Sequence, residues 1–213
     1  MTTEKMTIHK ALCELKTLNS RILKTIQNAT FVVANKHSNS KIAGLTIQEF
    51  NDLAKSDYNR AIDLINRRNA IKRAVVQSNA VTKVKIAGQE YTVAEAIDMK
   101  NCGIEFSEQL RSKMNSDLAK AKKEADKNNG KDLEKRADEY IKSLYGAVDS
   151  KNMSDDIKKT HSDFITSQTY ELVDPLDIQE KIDALEEKNV SFIVEVDAAL
   201  SVSNALTEIE IEY

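Results

Sequence analysis

Tryptophan is absent, proline occurs once, and the 213 residues include only 5 glycines and 3 histidines. Each shortage excludes something. With so few chain-turning residues, the frequent tight connections of a compact α/β enzyme have nothing to be built from, and long helices with few turns are predicted instead. Aromatics at 5% leave too little bulk for a thick globular core, so amphipathic helices must find part of their burial against another subunit. Cys13 and Cys102 stand far apart with no Cys-x-x-Cys or Cys/His spacing. That pattern predicts neither a disulfide framework nor a metal site, and it fits a reducing compartment. No window approaches the roughly 18–20 apolar residues of a membrane span, and MTTEKMTIHKAL lacks the apolar core of a secretory leader. A cytoplasmic protein without a membrane partner is expected.

What is present is charge and periodicity. Charged residues make up 31% of the chain, 31 basic against 34 acidic, finely interleaved. Such a surface carries no single-sign field to attract nucleic acid. Ile8, Leu12, Leu15, Leu18, Ile22 and Ile26 recur every three or four residues and predict an amphipathic helix of about five turns. The period lapses over residues 29–45, where Phe31–Val33 is expected to be extended. Thr46 with Glu49 then spells a capping box, in which each side chain satisfies a backbone N–H that the first turn leaves free. A second helix follows, with Phe50, Leu53, Ala61, Ile62, Leu64, Ile65 and Ile71.

Near Val81 the period changes to 2. Val84 and Ile86 alternate with Lys83 and Lys85, Gly88 punctuates, and Tyr91 and Val93 alternate with Glu90 and Thr92, which predicts a β-hairpin over 82–93. A second capping box, Thr92 with Glu95, opens a helix through Ile97, Ile104, Leu110, Met114 and Leu118 toward Lys127. Gly103 inside it is disfavoured by about 1 kcal/mol relative to Ala and predicts a bend. A break is expected around Gly130 and a resumed stripe from Leu133 to Leu144. Ser154 is expected to cap a short helix, TYELVDP to form a strand ending at Pro175, and a last helix to run from Asp177 to about Ser203. In TEIEIEY, Glu208, Glu210 and Glu212 fall on one face of a strand and Ile209, Ile211 and Tyr213 on the other. Pairing this strand with Lys83–Ile86 sets lysines beside glutamates, and a sheet of at least three strands, closed either within a chain or between subunits, is expected.

Ile65-Asn66-Arg67-Arg68-Asn69, the hairpin around Gly88, the helix start Thr92–Ile97 and the ending Val196-Asp197 with Ser203–Thr207 resemble the septicolysin-like family of bacterial and phage helical proteins. That family carries an Ile-Asn-Arg-x-Asn helix end, a hairpin and a closing helix; this chain has Ala205 where the family often has Trp. The resemblance covers the helices and hairpin but not residues 120–160, which look like an inserted helical arm. It implies an oligomeric helical fold.

Candidate chemistry is sparse. His9 and Cys13 stand four apart on one helix face, but no second pair with matching spacing exists, and His37 and His161 sit among polar residues. No HExxH, GxSxG, GxGxxG or P-loop occurs, so no catalytic residue, no metal site and no cofactor is expected. One polar cluster remains: Asn66, Arg67, Arg68 and Asn69, with Lys72 and Arg73 a turn later. Guanidinium groups bind phosphate through two parallel hydrogen bonds, and asparagine amides recognise base or ribose edges. Alternatively, the same residues cap a helix end and pair with acids on neighbouring helices. The chain is thus expected to be a mainly α protein: long antiparallel amphipathic helices with a small hairpin or three-stranded sheet, a single domain of 1–213, assembled as a homo-oligomer. Its expected function is non-enzymatic and phage-encoded, sequestration of a small phosphate-bearing, nucleotide-derived immune signal by Asn66, Arg67, Arg68, Asn69 and Arg73. The alternative is a structural protein that assembles or docks on a protein partner without a small ligand.

Overall fold

The computed structural model describes residues 2–146 and 153–213. They are mainly helical, with small antiparallel two-stranded sheets, and the chain divides into two compact units, residues 1–103 with 191–213 and residues 104–190. Among the described residues no helix is long and apolar enough to cross a membrane.

In the first unit a short strand, β1 (Thr3–Thr7), runs directly into α1 (Ile8–Asn28). Thr7 ends the strand and caps the helix, its hydroxyl accepting the Lys10 N–H at 3.2 Å. Ile8, Ala11 and Leu18 are buried with Leu15 packed against them, whereas Leu12 and Ile26 of the same stripe remain exposed. The expected extension at Phe31–Val33 is not part of any sheet. Two-residue strands β2 (Lys41–Ile42) and β3 (Leu45–Thr46) form a hairpin instead, turning at Ala43 and Gly44, both at positive φ. They are too short to show an alternation in sequence. The capping box that opens α2 (Ile47–Val81) forms as predicted: Glu49 N–H donates to Thr46 Oγ1 at 3.2 Å and Thr46 N–H to Glu49 Oε2 at 2.7 Å.

The hairpin of β4 (Lys83–Ile86) and β5 (Gln89–Thr92) also forms, turning at Ala87 and Gly88 with φ of 48° and 77°. Both central residues at positive φ match the twist of a tight hairpin. The Thr92–Glu95 box opens α3 (Val93–Asp98). At Gly103, where a bend is expected, the helix carries a π-helical segment, Met99–Gly103. A Cβ on Gly103 would collide with the Met99 sulfur.

The expected three-stranded sheet does not form within the chain. The C-terminal strand, β6 (Glu208–Glu212), pairs with β1, and β4 pairs with β5 alone. Lys5 stands opposite Glu210 with 3.9 Å between charged atoms, and Met6 opposite Ile209. The electrostatic match sought from β4 is therefore supplied by β1. Chain connection favours this choice: Ile8 N–H donates to Thr207 O at 2.9 Å and Thr2 N–H to Tyr213 O at 3.0 Å, extending the ladder past both ends. Met6, Ile209 and Ile211 then close one core with Ile8, Ala11, Leu18, Ile71 and Val75.

The second unit holds α4 (Ile104–Asn128), α5 (Lys131–Tyr145), α6 (Asp155–Gln168) and the first turns of α7 (Ile178–Leu206). Gly130, at φ 66°, separates α4 from α5 as expected. Leu133, Ala137 and Ile141 form a buried stripe, and Tyr140 stacks on Phe164 with ring centroids 4.6 Å apart. Asn189 is the one buried polar residue among those described; it donates to Glu108 Oε1 at 2.9 Å, and Arg111 pairs with Glu108 and Glu186. Of the expected arm 120–160, residues 120–146 and 153–160 belong to this helical unit and 147–152 lie outside the described residues. Ser154 occupies the cap position of α6 without a side-chain cap bond. TYELVDP is not a strand; the backbone of Tyr170 is held by a side chain instead, its N–H donating to Asn129 Oδ1 and its O accepting from Asn129 Nδ2, each at 2.9 Å. Asp174 of the same segment accepts the Ile178 N–H at 2.9 Å and so caps α7.

Candidate functional site

Asn66–Asn69 do not lie at a helix end. The sequence that follows, AIKRAVVQSNAV, contains no Gly or Pro, and α2 continues for a further three turns to Val81. Consecutive helical residues are about 100° apart around the axis, so four in a row cannot line one pocket. The structure separates them accordingly.

Arg67 turns inward, with its side chain 18% exposed. Its Nε and Nη2 form a two-pronged bond to Glu14 on α1, its Nη2 donates to Glu4 of β1 at 2.9 Å, and its Nη1 donates to the Tyr213 hydroxyl. The guanidinium carbon also lies 4.7 Å from the centre of the Tyr213 ring. Hydrogen bonds to Glu14, then to Glu4, raise the Arg67 pKa against the opposing effect of burial. Hydrogen bonds from Arg67 and Lys10 hold the Glu4 carboxyl below its ordinary range. Arg67 thus serves as an internal clasp joining one end of the β1–β6 ladder, through Glu4 and Tyr213, to α1 and α2.

Arg68 lies on another face of α2 and donates to Asn19 Oδ1 at 3.4 Å and to Asn69 Oδ1 at 3.2 Å. Asn66, Asn69, Lys72 and Arg73 are exposed. Arg73 borders a recess of about 350 Å³ with Ala70, Ala74 and Gln77, but Glu210 and Glu212 line the same recess and would repel a phosphate. The five predicted residues therefore do not converge on one anionic pocket. His9 Nε2 is 3.8 Å from Cys13 Sγ, both residues exposed. His161 Nε2 lies 3.2 Å from Asp138 Oδ1. Among the described residues no three His, Cys, Asp or Glu side chains are grouped to hold a metal ion.

The most distinctive surface lies elsewhere, where sequence reasoning did not look. In the first unit, the later turns of α7 and the unpaired edge of β4 border a groove of about 630 Å³. One wall is Thr82–Lys85 and the other is formed by Val194, Ala198, Val202 and Leu206, with Glu195 at its margin. These four apolar residues recur every fourth position and form a ridge along the helix. Val194, Val202 and Leu206 are 73%, 58% and 76% exposed. On the other side of the same turns Phe192 and Val196 are buried, Phe192 meeting Tyr91 edge-to-face at 5.6 Å. The signal was in SFIVEVDAALSVSNAL: a helix apolar on two faces has one face more than a single-sided packing needs.

No family model matches the chain, and no curated protein and no solved structure shows significant similarity to it. The septicolysin-like resemblance accordingly rests on its quoted motif residues alone.

Proposed function

We propose that this chain is a non-enzymatic interaction protein that works as a homo-oligomer, its subunits joined through apolar helix faces that its own fold leaves uncovered. One observation carries this reading. Each unit leaves large apolar side chains uncovered, Leu23, Val194, Val202 and Leu206 in the first and Phe106, Leu110 and Val190 in the second, each more than half exposed. Uncovered apolar surface on several helices is the condition of a protein completed by its partners. Size-exclusion chromatography with light scattering at micromolar concentration should give a multiple of 23.9 kDa; a mass of one chain overturns the reading.

Sequestration of a phosphate-bearing nucleotide has weaker support. Arg67 is engaged by two carboxylates and a hydroxyl of its own chain, and Arg73 shares its recess with two more acids. Calorimetry of the wild-type protein against linear and cyclic nucleotides is expected to show no saturable heat. Saturable heat that disappears in Arg68→Ala or Arg73→Ala would restore the ligand-binding function.

A further inference from the structure

We propose that the later turns of α7, Val194 to Leu206, with the free edge of β4 beside them, are the surface on which a second copy of this chain docks, the two α7 helices packing antiparallel about a two-fold axis near Ala198. This rests on the homo-oligomer reading and assigns it a surface.

The pattern of side chains argues for a second copy as the occupant. A two-fold contact must match a surface to itself. Val194, Ala198, Val202 and Leu206 do so: an antiparallel crossing at Ala198 sets Val194 of one copy against Val202 of the other and Ala198 against Ala198. The small residue falls at the axis, where the backbones come closest, and the larger ones fall to either side. A ridge of residues four apart is also the row through which helices most often interdigitate. The exposure of Val194, Val202 and Leu206 excludes the ridge from the chain's own core, which Phe192 and Val196 enter from the opposite face.

Charge agrees. Lys85 has no ion pair among the described residues and stands in the groove wall, while Glu195 marks the margin of the ridge and accepts the Ala87 N–H at 2.6 Å through Oε2. An isologous contact brings this opposite-charge pair together twice at its rim. Direct pairing of β4 with its own copy is disfavoured, since it would place Lys83 and Lys85 opposite lysines; the helices make the contact and the strand edge flanks it.

The test uses the whole 213-residue chain. Val194→Glu with Val202→Glu, both at exposed positions, should leave the helical circular dichroism unchanged and halve the mass seen by light scattering, or halve the number of subunits in a larger assembly. In a Cys13→Ser, Cys102→Ser background, Ala198→Cys should oxidise to a disulfide-linked dimer, while Ser201→Cys should react several-fold more slowly. A wild-type protein that is monomeric overturns both this proposal and the function it rests on. A wild-type oligomer whose mass survives the double glutamate variant, or whose A198C form does not cross-link, overturns this surface and leaves the homo-oligomer standing.

Discussion

At Arg67 a planar guanidinium is shared among Glu14, Glu4 and the Tyr213 hydroxyl, so its removal leaves two carboxylates facing each other in a half-buried site. Arg67→Ala should lower unfolding free energy by about 2 kcal/mol. Arg68→Ala, which loses only long contacts to asparagines, should stay within about 0.5 kcal/mol of wild type. Arg67→Lys should not rescue, because an ammonium lacks the fork that reaches two acids at once. Urea melts of the three variants check this; equal stability of Arg67→Ala and wild type would show that the clasp contributes nothing. The sign of the pH dependence follows from the same site. Glu4 is held below its ordinary range by Arg67 and Lys10, Glu49 and Glu95 by the backbone N–H groups they cap, and Glu108 by Arg111 and Asn189. A carboxyl with a depressed folded pKa adds stability above its unfolded value and loses it as pH falls through the folded one. Stability should therefore hold at neutral pH and decline below about 4.5, with the decline reduced in Glu49→Gln, as acid titration of the helical signal would show.

At the scale of elements, local signals were legible and long-range pairing was not. Both capping boxes, the hairpin at Ala87-Gly88 and the break at Gly130 follow from two to four adjacent residues, and each formed where its residues stand. The partner of β6 had to be chosen across some two hundred residues by charge alternation alone. Two strands, β1 and β4, offer lysines to it, and TEKMT has only Met6 to mark a buried face. The misplaced polar site has the same cause. Its residues predict which groups can bind an anion, but whether Arg67 is free depends on Glu4, Glu14 and Tyr213, which only the fold brings to it. Likewise TYELVDP alternates like a strand, yet Asn129 takes the backbone of Tyr170. The β1–β6 pairing predicts that Ile211→Ala, at a side chain 1% exposed, costs about 2–5 kcal/mol, while Glu210→Ala on the wet face costs under about 0.5 kcal/mol. Thermal melts that rank the two variants the other way would place β6 outside the core.

At the scale of the whole molecule, composition and surface make the same demand. A chain with 5% aromatics and 31% charge buries little within each unit, and residues such as Phe106, Leu110, Leu23 and Leu206 remain more than half exposed. If subunit contacts supply the missing burial, folding and association are coupled, and stability depends on protein concentration by mass action. For a dimer, each tenfold rise in concentration adds about 1.4 kcal/mol of apparent stability per dimer, about 0.7 kcal/mol per chain, which in a chain of this length corresponds to a rise in Tm of about 1.5–3 °C. Calorimetric melts from 1 to 100 μM should thus shift upward in step with concentration, and the shift should vanish in the Val194→Glu, Val202→Glu protein. A Tm independent of concentration in the wild type would mean that each chain is stable without a partner and that its uncovered faces serve some other contact.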